Sequence, residues 1–362
     1  MSKYNQPKNS CKSLMLHASS LFIIYLLITY SYAHSQGLDN RKYIREINPH
    51  AYNLLSLTVI GNPTSYIVKD EDTFLDIARE HELGINEMTL LYPGTDPWMP
   101  PPGESLSIPA FWVLPPTKLE QLVINIPEMR LYIFKKKTGE VQTYPVGIGS
   151  EGWKTPKGNF AITEKRSNPK WYVPESLREE YGIAIMPPGP GNPLGKYIMR
   201  FADSSYGIHG THMPWGVGRL ISHGCIRCYP EHISLIYPQV ALNSKVEIVY
   251  EPVKLGIKKE RIYVEVHPDV YAKIPDLIHY ASIKLKNFRL SDRVDLEKYR
   301  RAVQSQDGVP TDVTLSLKKI RKDVFEIKRP GSIQKDDLPA EYSNENTATG
   351  GLLVQGSSMP IE

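Results

Sequence analysis

Proline placement limits most sharply what this chain can fold into. Thirty prolines are spread over 362 residues. They cluster at Pro93, Pro97, Pro100, Pro101, Pro102, Pro109, Pro115 and Pro116, and again across 187–193. Each proline fixes φ and lacks a backbone donor, so both stretches read as loops or linkers. Regular structure must fit between them in short pieces. The length allows two or three small domains, each with its own core.

Residues 118–251 form the largest piece and predict a mainly β domain. Leu122–Ile126 and Arg130–Phe134 are β-rich runs flanking Pro127-Glu128, which predicts a hairpin. Val141–Gly147, Asn159–Glu164, Lys196–Phe201, Tyr206–His209 and Lys245–Tyr250 continue the pattern. One helix is predicted at Pro230–Tyr237, with proline in its first turn. Many short strands broken by Gly and Pro argue for a β-sandwich or barrel.

Residues 65–109 predict a β-α-α-β unit. Tyr66-Ile-Val68 is strand-like, Asp72-Thr73 can cap a helix over Phe74–Glu82, and Gly84 can stop it. Asn86–Tyr92 reads as a second helix with Met88, Leu91 and Tyr92 facing inward, and 103–109 as a turn and closing strand. Residues 34–64 read as an entry segment. Residues 252–330 predict a mixed α/β segment, with a strand at Arg261–His267 and a helix over 291–306 that Ser291 could cap. From 331 to 362 the chain is polar and lacks an apolar period, which predicts disorder.

The N-terminus predicts export. Lys3, Lys8 and Lys12 precede the apolar run Leu21–Ile28, and Ser31-Tyr-Ala33 offers small residues for cleavage. The run is short for a membrane span, so no stable span is expected once 1–33 are removed. Cleavage would also remove Cys11, one of three cysteines. The exported chain then keeps only Cys225 and Cys228, too few for a disulfide scaffold. The formal charge of +4 is too small to argue for nucleic acid as a partner.

Chemistry concentrates in one stretch. Tyr206-Gly-Ile-His209-Gly210-Thr211 is followed by Gly216 and Gly218, then Ser222-His223-Gly224-Cys225-Ile-Arg227. A thiol attacks only as thiolate; a nearby imidazole can take its proton and a cation can lower its pKa. Glycines permit tight turns and close substrate approach, and N–H groups around Gly224-Cys225 could meet an oxyanion. Spacing alone does not decide which histidine takes the proton.

This stretch resembles the signature of the L,D-transpeptidase (YkuD-type) catalytic domain. Pro145-Val-Gly-Ile-Gly149, Lys154-Thr-Pro-Lys-Gly158 and Asn192-Pro-Leu-Gly195 also match, so the resemblance covers roughly 119–251. It implies the family's β-rich fold and an acyl-enzyme mechanism on peptidoglycan stems, with no metal or cofactor. Carried over, Cys225 is the nucleophile and His209 the base, oriented by the Gly210 backbone. His223 and Arg227 shape the site or bind substrate, and Ser222 and Gly224 shape the turn. The acceptor implied is a stem amine, a lysine of a wall-anchored lipoprotein, or water. The 65–109 unit resembles a LysM domain, a glycan-binding module, through Tyr66-x-Val68, Asp72-Thr73-Phe74-x-x-Ile77-Ala78 and Leu106-x-Ile108-Pro109. It departs at Tyr92-Pro93, where that family carries Asn-Pro, and in a longer insert over 95–102.

Cys225-Ile-Arg-Cys228 opens competing readings. A Cys-x-x-Cys pair suits redox cycling, or a reversible disulfide that silences the nucleophile. Zinc held by both thiols and two histidines is another option. A catalytically silent wall-binding protein is a third. Cys228 could also be a small buried residue and nothing more. His212 fits no position of the signature, and His232 stands where an acidic residue is common in that family.

Overall fold

The computed structural model describes residues 42–44, 59–117, 121–135, 138–201 and 206–316. The expected signal peptide, Cys11, most of the entry segment and the polar tail lie outside them. The chain divides into two units, Met1–Leu315 and Ser316–Glu362, and all the described strands and helices belong to the first. No helix among the described residues is long and apolar enough to cross a membrane.

In chain order the first elements are β1 (Lys42–Ile44), β2 (Val59–Gly61), β3 (Thr64–Ile67), α1 (Phe74–Glu80), α2 (Ile85–Leu91), β4 (Ser105–Ile108) and β5 (Phe111–Val113). Next come β6 (Leu122–Asn125), β7 (Arg130–Lys135), β8 (Glu140–Gly149), β9 (Gly158–Ser167), β10 (Trp171–Tyr172), α3 (Arg178–Tyr181), β11 (Ile185–Met186), β12 (Tyr197–Phe201), β13 (Gly207–His209), β14 (Leu220–Ser222), β15 (Ile226–Cys228), α4 (Pro230–Ile236) and β16 (Lys245–Val249). A final group holds β17 (Val253–Lys258), β18 (Arg261–Val266), α5 (Leu277–Asn287), α6 (Leu296–Ser305) and β19 (Thr311–Asp312).

The middle group is a closed barrel. Pairing runs β8–β15–β13–β12–β9–β16–β6–β7, and β7 returns to β8. The expected β6–β7 hairpin is present, with Leu122 opposite Ile133. Within this ring β13–β15 and β16–β6 are parallel, and β14, off the ring, pairs in parallel with β8.

Side-chain alternation explains why these strands read as continuous apolar runs. Leu131 and Ile133 fill the barrel, as do Leu122 and Ile124. Tyr132, Phe134 and Val123 point the other way, into a second cluster with Phe74, Ile77, Leu83, Ile85 and Met88. Strands covered on both faces need apolar residues at every position. The core of the β-α-α-β unit is therefore continuous with the outer face of the barrel. Two seven-residue helices enclose too little volume, and they instead cover the outer wall of the barrel.

Several local signals in that unit act differently from the sequence expectation. Thr73 caps α1, its Oγ1 accepting from Asp76 N at 3.2 Å. Asp72 does not share this role; its carboxylate accepts from Lys69 N and Tyr66 Oη. The helix ends at Glu80, and Glu82 takes the left-handed conformation at φ 63°. Gly84 stops nothing: it sits at φ −85° and starts α2, its N–H donating to Glu87 Oε2 at 2.9 Å. Of the three residues assigned to the inner face of α2, Met88 is fully buried, while Leu91 and Tyr92 are half-buried. In the last group, Asp295 rather than Ser291 caps α6, accepting from Glu297 N and Lys298 N.

Two buried ionic clusters fasten the three sequence segments together. Glu87 of α2 accepts from Arg130 of the barrel at 2.6 Å and from Trp112 Nε1 at 2.9 Å. Arg130 also lies over the Trp112 ring, 4.3 Å from its centroid. On the other side, Lys254 Nζ meets Glu128 at 2.8 Å, Glu265 at 2.7 Å and the Val113 carbonyl at 2.6 Å. His267 adds a 2.6 Å contact to Glu265. Glu128, Glu265 and His267 would form a metal-like cluster, but the Lys254 ammonium already fills it. Buried charges persist only when paired in this way.

Candidate active site

The parallel pairing of β13 and β15 assembles the site. Ile208 stands opposite Ile226 and His209 opposite Arg227. Ile208 and Ile226 are fully buried in the barrel core. Alternation then puts His209 and Arg227 together on the other face. Cys225, two residues before Arg227, shares that face, beside the Gly207 backbone, which hydrogen-bonds its sulfur. The structure thus brings Cys225, His209 and Arg227 to one surface.

Ser222 builds the turn that presents Cys225. Its hydroxyl donates to the Cys225 carbonyl and accepts from Gly224 N at 3.1 Å. Gly224 has φ +96°, and a Cβ there would come within 2.4 Å of the Tyr206 ring, so only glycine fits. The Gly224 N–H is committed to Ser222 Oγ. It therefore cannot serve an oxyanion in this conformation. His223 is exposed and packs at 5.1 Å against the Trp153 ring.

His209 is buried, and its Nδ1 lies 2.6 Å from the Gly210 carbonyl. A carbonyl only accepts, so Nδ1 carries the hydrogen and Nε2 keeps the lone pair. Burial pushes the imidazole pKa down to about 3, and the Arg227 charge pushes the same way. The carbonyls of Gly210 and Pro193 oppose this. Burial also raises the Cys225 thiol above its ordinary value, against the Gly207 hydrogen bond and the charges of Arg200 and Arg227. Both shifts favour the uncharged forms, thiol and imidazole, over the charged pair.

Arg227 is half-buried, and burial lowers its pKa, yet a guanidinium stays charged. Its Nε is buried and has no hydrogen-bond partner among the described residues. A charged donor so placed suits an anionic group of a ligand. Arg200 was missed from the sequence. It pairs in register with Gly207, and its charge acts on Cys225, favouring the thiolate. An arginine in a plain strand gives no motif, so only the sheet register reveals it. His212 has a buried ring nitrogen without a partner among the described residues, and its pKa is lowered by burial.

Cys228 does not join the site. It is fully buried among the barrel residues, and burial pushes its thiol up to about 12. Neither cysteine is in a disulfide, and their side chains face opposite sides of the strand. A shared zinc site or redox pair would need them on one side. His232 is also buried, on α4, where Glu82 contacts its Nε2.

The family model described as the L,D-transpeptidase catalytic domain, YkuD, matches residues 120–248. Probable L,D-transpeptidase YcfS of Escherichia coli (strain K12) is 32% identical over 271 residues, covering 70% of this chain and 85% of that one. Probable L,D-transpeptidase ErfK/SrfK of Salmonella typhimurium is 29% identical, with 71% and 88% covered. Probable L,D-transpeptidase YbiS of Escherichia coli (strain K12) is 36% identical, with 52% and 64% covered. The closed β barrel, the matched domain and these relatives together establish the family: the chain belongs to the L,D-transpeptidases.

Proposed function

We propose that the protein is an exported L,D-transpeptidase that acts on peptidoglycan tetrapeptide stems through a Cys225 thioester. The single observation that carries the reading is the shared face of Cys225, His209 and Arg227. His209 Nε2 takes the thiol proton as Cys225 Sγ attacks the carbonyl carbon of the third stem residue. The same imidazole then protonates the departing amine of the terminal D-amino acid. An acceptor amine attacks the thioester, loses a proton to His209, and leaves the thiol restored.

Because burial favours the uncharged form of both groups, proton transfer is read as accompanying attack rather than preceding it. Arg227, with its unpartnered buried Nε, binds a carboxylate of the donor stem. The acceptor is the side-chain amine of a neighbouring stem or a lysine of a wall-anchored lipoprotein. The Lys-bearing start and short apolar run support export to the periplasm. The β3-α1-α2-β4 order supports a LysM-like module that holds glycan near the barrel.

The test uses muropeptides bearing tetrapeptide stems. Wild-type protein should release the terminal D-amino acid, and Cys225→Ala should release none. Equal release by both would exclude a Cys225 nucleophile. Wall from a deletion strain should lack one class of linkage, either stem-to-stem or stem-to-lipoprotein, and that class names the acceptor.

A further inference from the structure

A tyrosine from beyond the barrel reaches the back of the Cys225 turn. Tyr271 lies between β18 and α5, yet it is buried in the barrel cluster. Its hydroxyl donates to the Gly149 carbonyl at 2.7 Å and accepts from Thr155 N at 3.1 Å. The Thr155 hydroxyl in turn donates to the Gly224 carbonyl at 3.1 Å and accepts from Gly149 N at 2.9 Å. Gly224 is bonded directly to Cys225. Two side chains therefore link the accessory segment to the residue before the thiol.

Tyr271 is itself held firmly. Its N–H donates to Tyr250 Oη at 2.9 Å, and the two rings stack at 6.0 Å. Tyr250 donates to Asp269, whose other oxygen accepts from Ile274 N. Lys154 Nζ donates to the Tyr271 carbonyl at 3.2 Å. The loop carrying Thr155 is thus gripped from both the main chain and the ring of residue 271.

The geometry points to Tyr271 as a positioning residue for the acyl transfer, acting through Thr155 on the Gly224-Cys225 peptide. This rests on the reading of Cys225 as nucleophile. Fixing the Gly224 carbonyl fixes the rotation of that peptide, and with it the direction of the Cys225 side chain toward His209. Losing the Tyr271 hydroxyl frees the loop while leaving the ring packed, so the thiol should sample more orientations.

The experiment compares full-length wild type, Tyr271→Phe, Thr155→Val, the double variant and Cys225→Ala for release of the terminal D-amino acid. Tyr271→Phe and Thr155→Val should each lower kcat about tenfold with KM nearly unchanged, since small misplacements act mainly on the chemical step. The double variant should be no slower than the slower single one, because both break the same chain of contacts. Thermal unfolding of each variant checks that the fold persists; should Tyr271→Phe not fold, Thr155→Val alone carries the comparison. Wild-type kcat in a folded Tyr271→Phe or Thr155→Val, with Cys225→Ala inactive, overturns the proposal. Independent, multiplying losses in the double variant overturn it too. An active Cys225→Ala instead overturns the underlying reading of the site.

Discussion

Cys225 and Cys228 lie three residues apart and face opposite sides of the strand that carries the signature arginine. One side chain sits at the site beside the Gly207 backbone, and the other is sealed in the barrel. Cys228→Ala should therefore keep the release activity within about twofold. It should lower stability by roughly 1 kcal/mol, the scale of a small apolar truncation in a core. Thermal unfolding and the release assay check both parts. Loss of activity matching that of Cys225→Ala would restore the redox reading.

The burial of the Cys225 thiol gives a pH signature. Alkylation of Cys225 by iodoacetamide should keep rising with pH above the ordinary thiol range, because the thiol pKa is raised. A plateau reached near neutral pH would mean a thiolate–imidazolium pair instead.

Stability should fall as the solution is acidified. The folded pKa of His209, about 3, lies below its value in the unfolded chain, about 6.5. The unfolded state therefore binds the proton first, and this stability, present above about pH 6.5, is lost as pH drops toward 3. The slope from one group is at most about 1.4 kcal/mol per pH unit. Unfolding midpoints in denaturant at several pH values, for wild type and His209→Gln, measure it. The variant should show the shallower slope.

The shared core predicts a single unfolding event for 59–315. Glu87→Gln leaves the buried Arg130 guanidinium without its counter-charge, which costs roughly 3–5 kcal/mol. Because Tyr132 and Phe134 pack on α1 and α2, the loss should lower the midpoint of the whole transition. Calorimetry would show one shifted peak. A separate early peak for the β-α-α-β unit would contradict the shared core.

Lys254→Met should be destabilising at neutral pH and less so in acid. It leaves Glu128 and Glu265 as two buried carboxylates with no ammonium between them. Protonating one of them relieves the repulsion. Denaturant midpoints at neutral and acidic pH check the sign.

The barrel strands and the turn bearing Cys225 were legible because their signals are local. Runs such as 130–134 carry β-branched and aromatic residues, and the Ser-His-Gly-Cys turn carries its own Ser222 and Gly224. The helix limits failed where residues beyond the helix decide: Glu82 adopts positive φ without glycine, so Gly84 misled. The shared core was hidden because inward and outward apolar residues look alike in a one-dimensional run. Arg200 and Tyr271 were hidden for a related reason. Each reaches the site through strand register or a distant segment, and neither spacing appears along the chain.

The most direct measurement is the mass of the protein after brief incubation with tetrapeptide-bearing muropeptide and acid quench. A thioester adduct of the donor stem should appear on the peptide containing Cys225, and should be absent from Cys225→Ala and slow to form in His209→Gln. An adduct on any other residue, or terminal D-amino acid release by Cys225→Ala at the wild-type rate, would contradict the assignment.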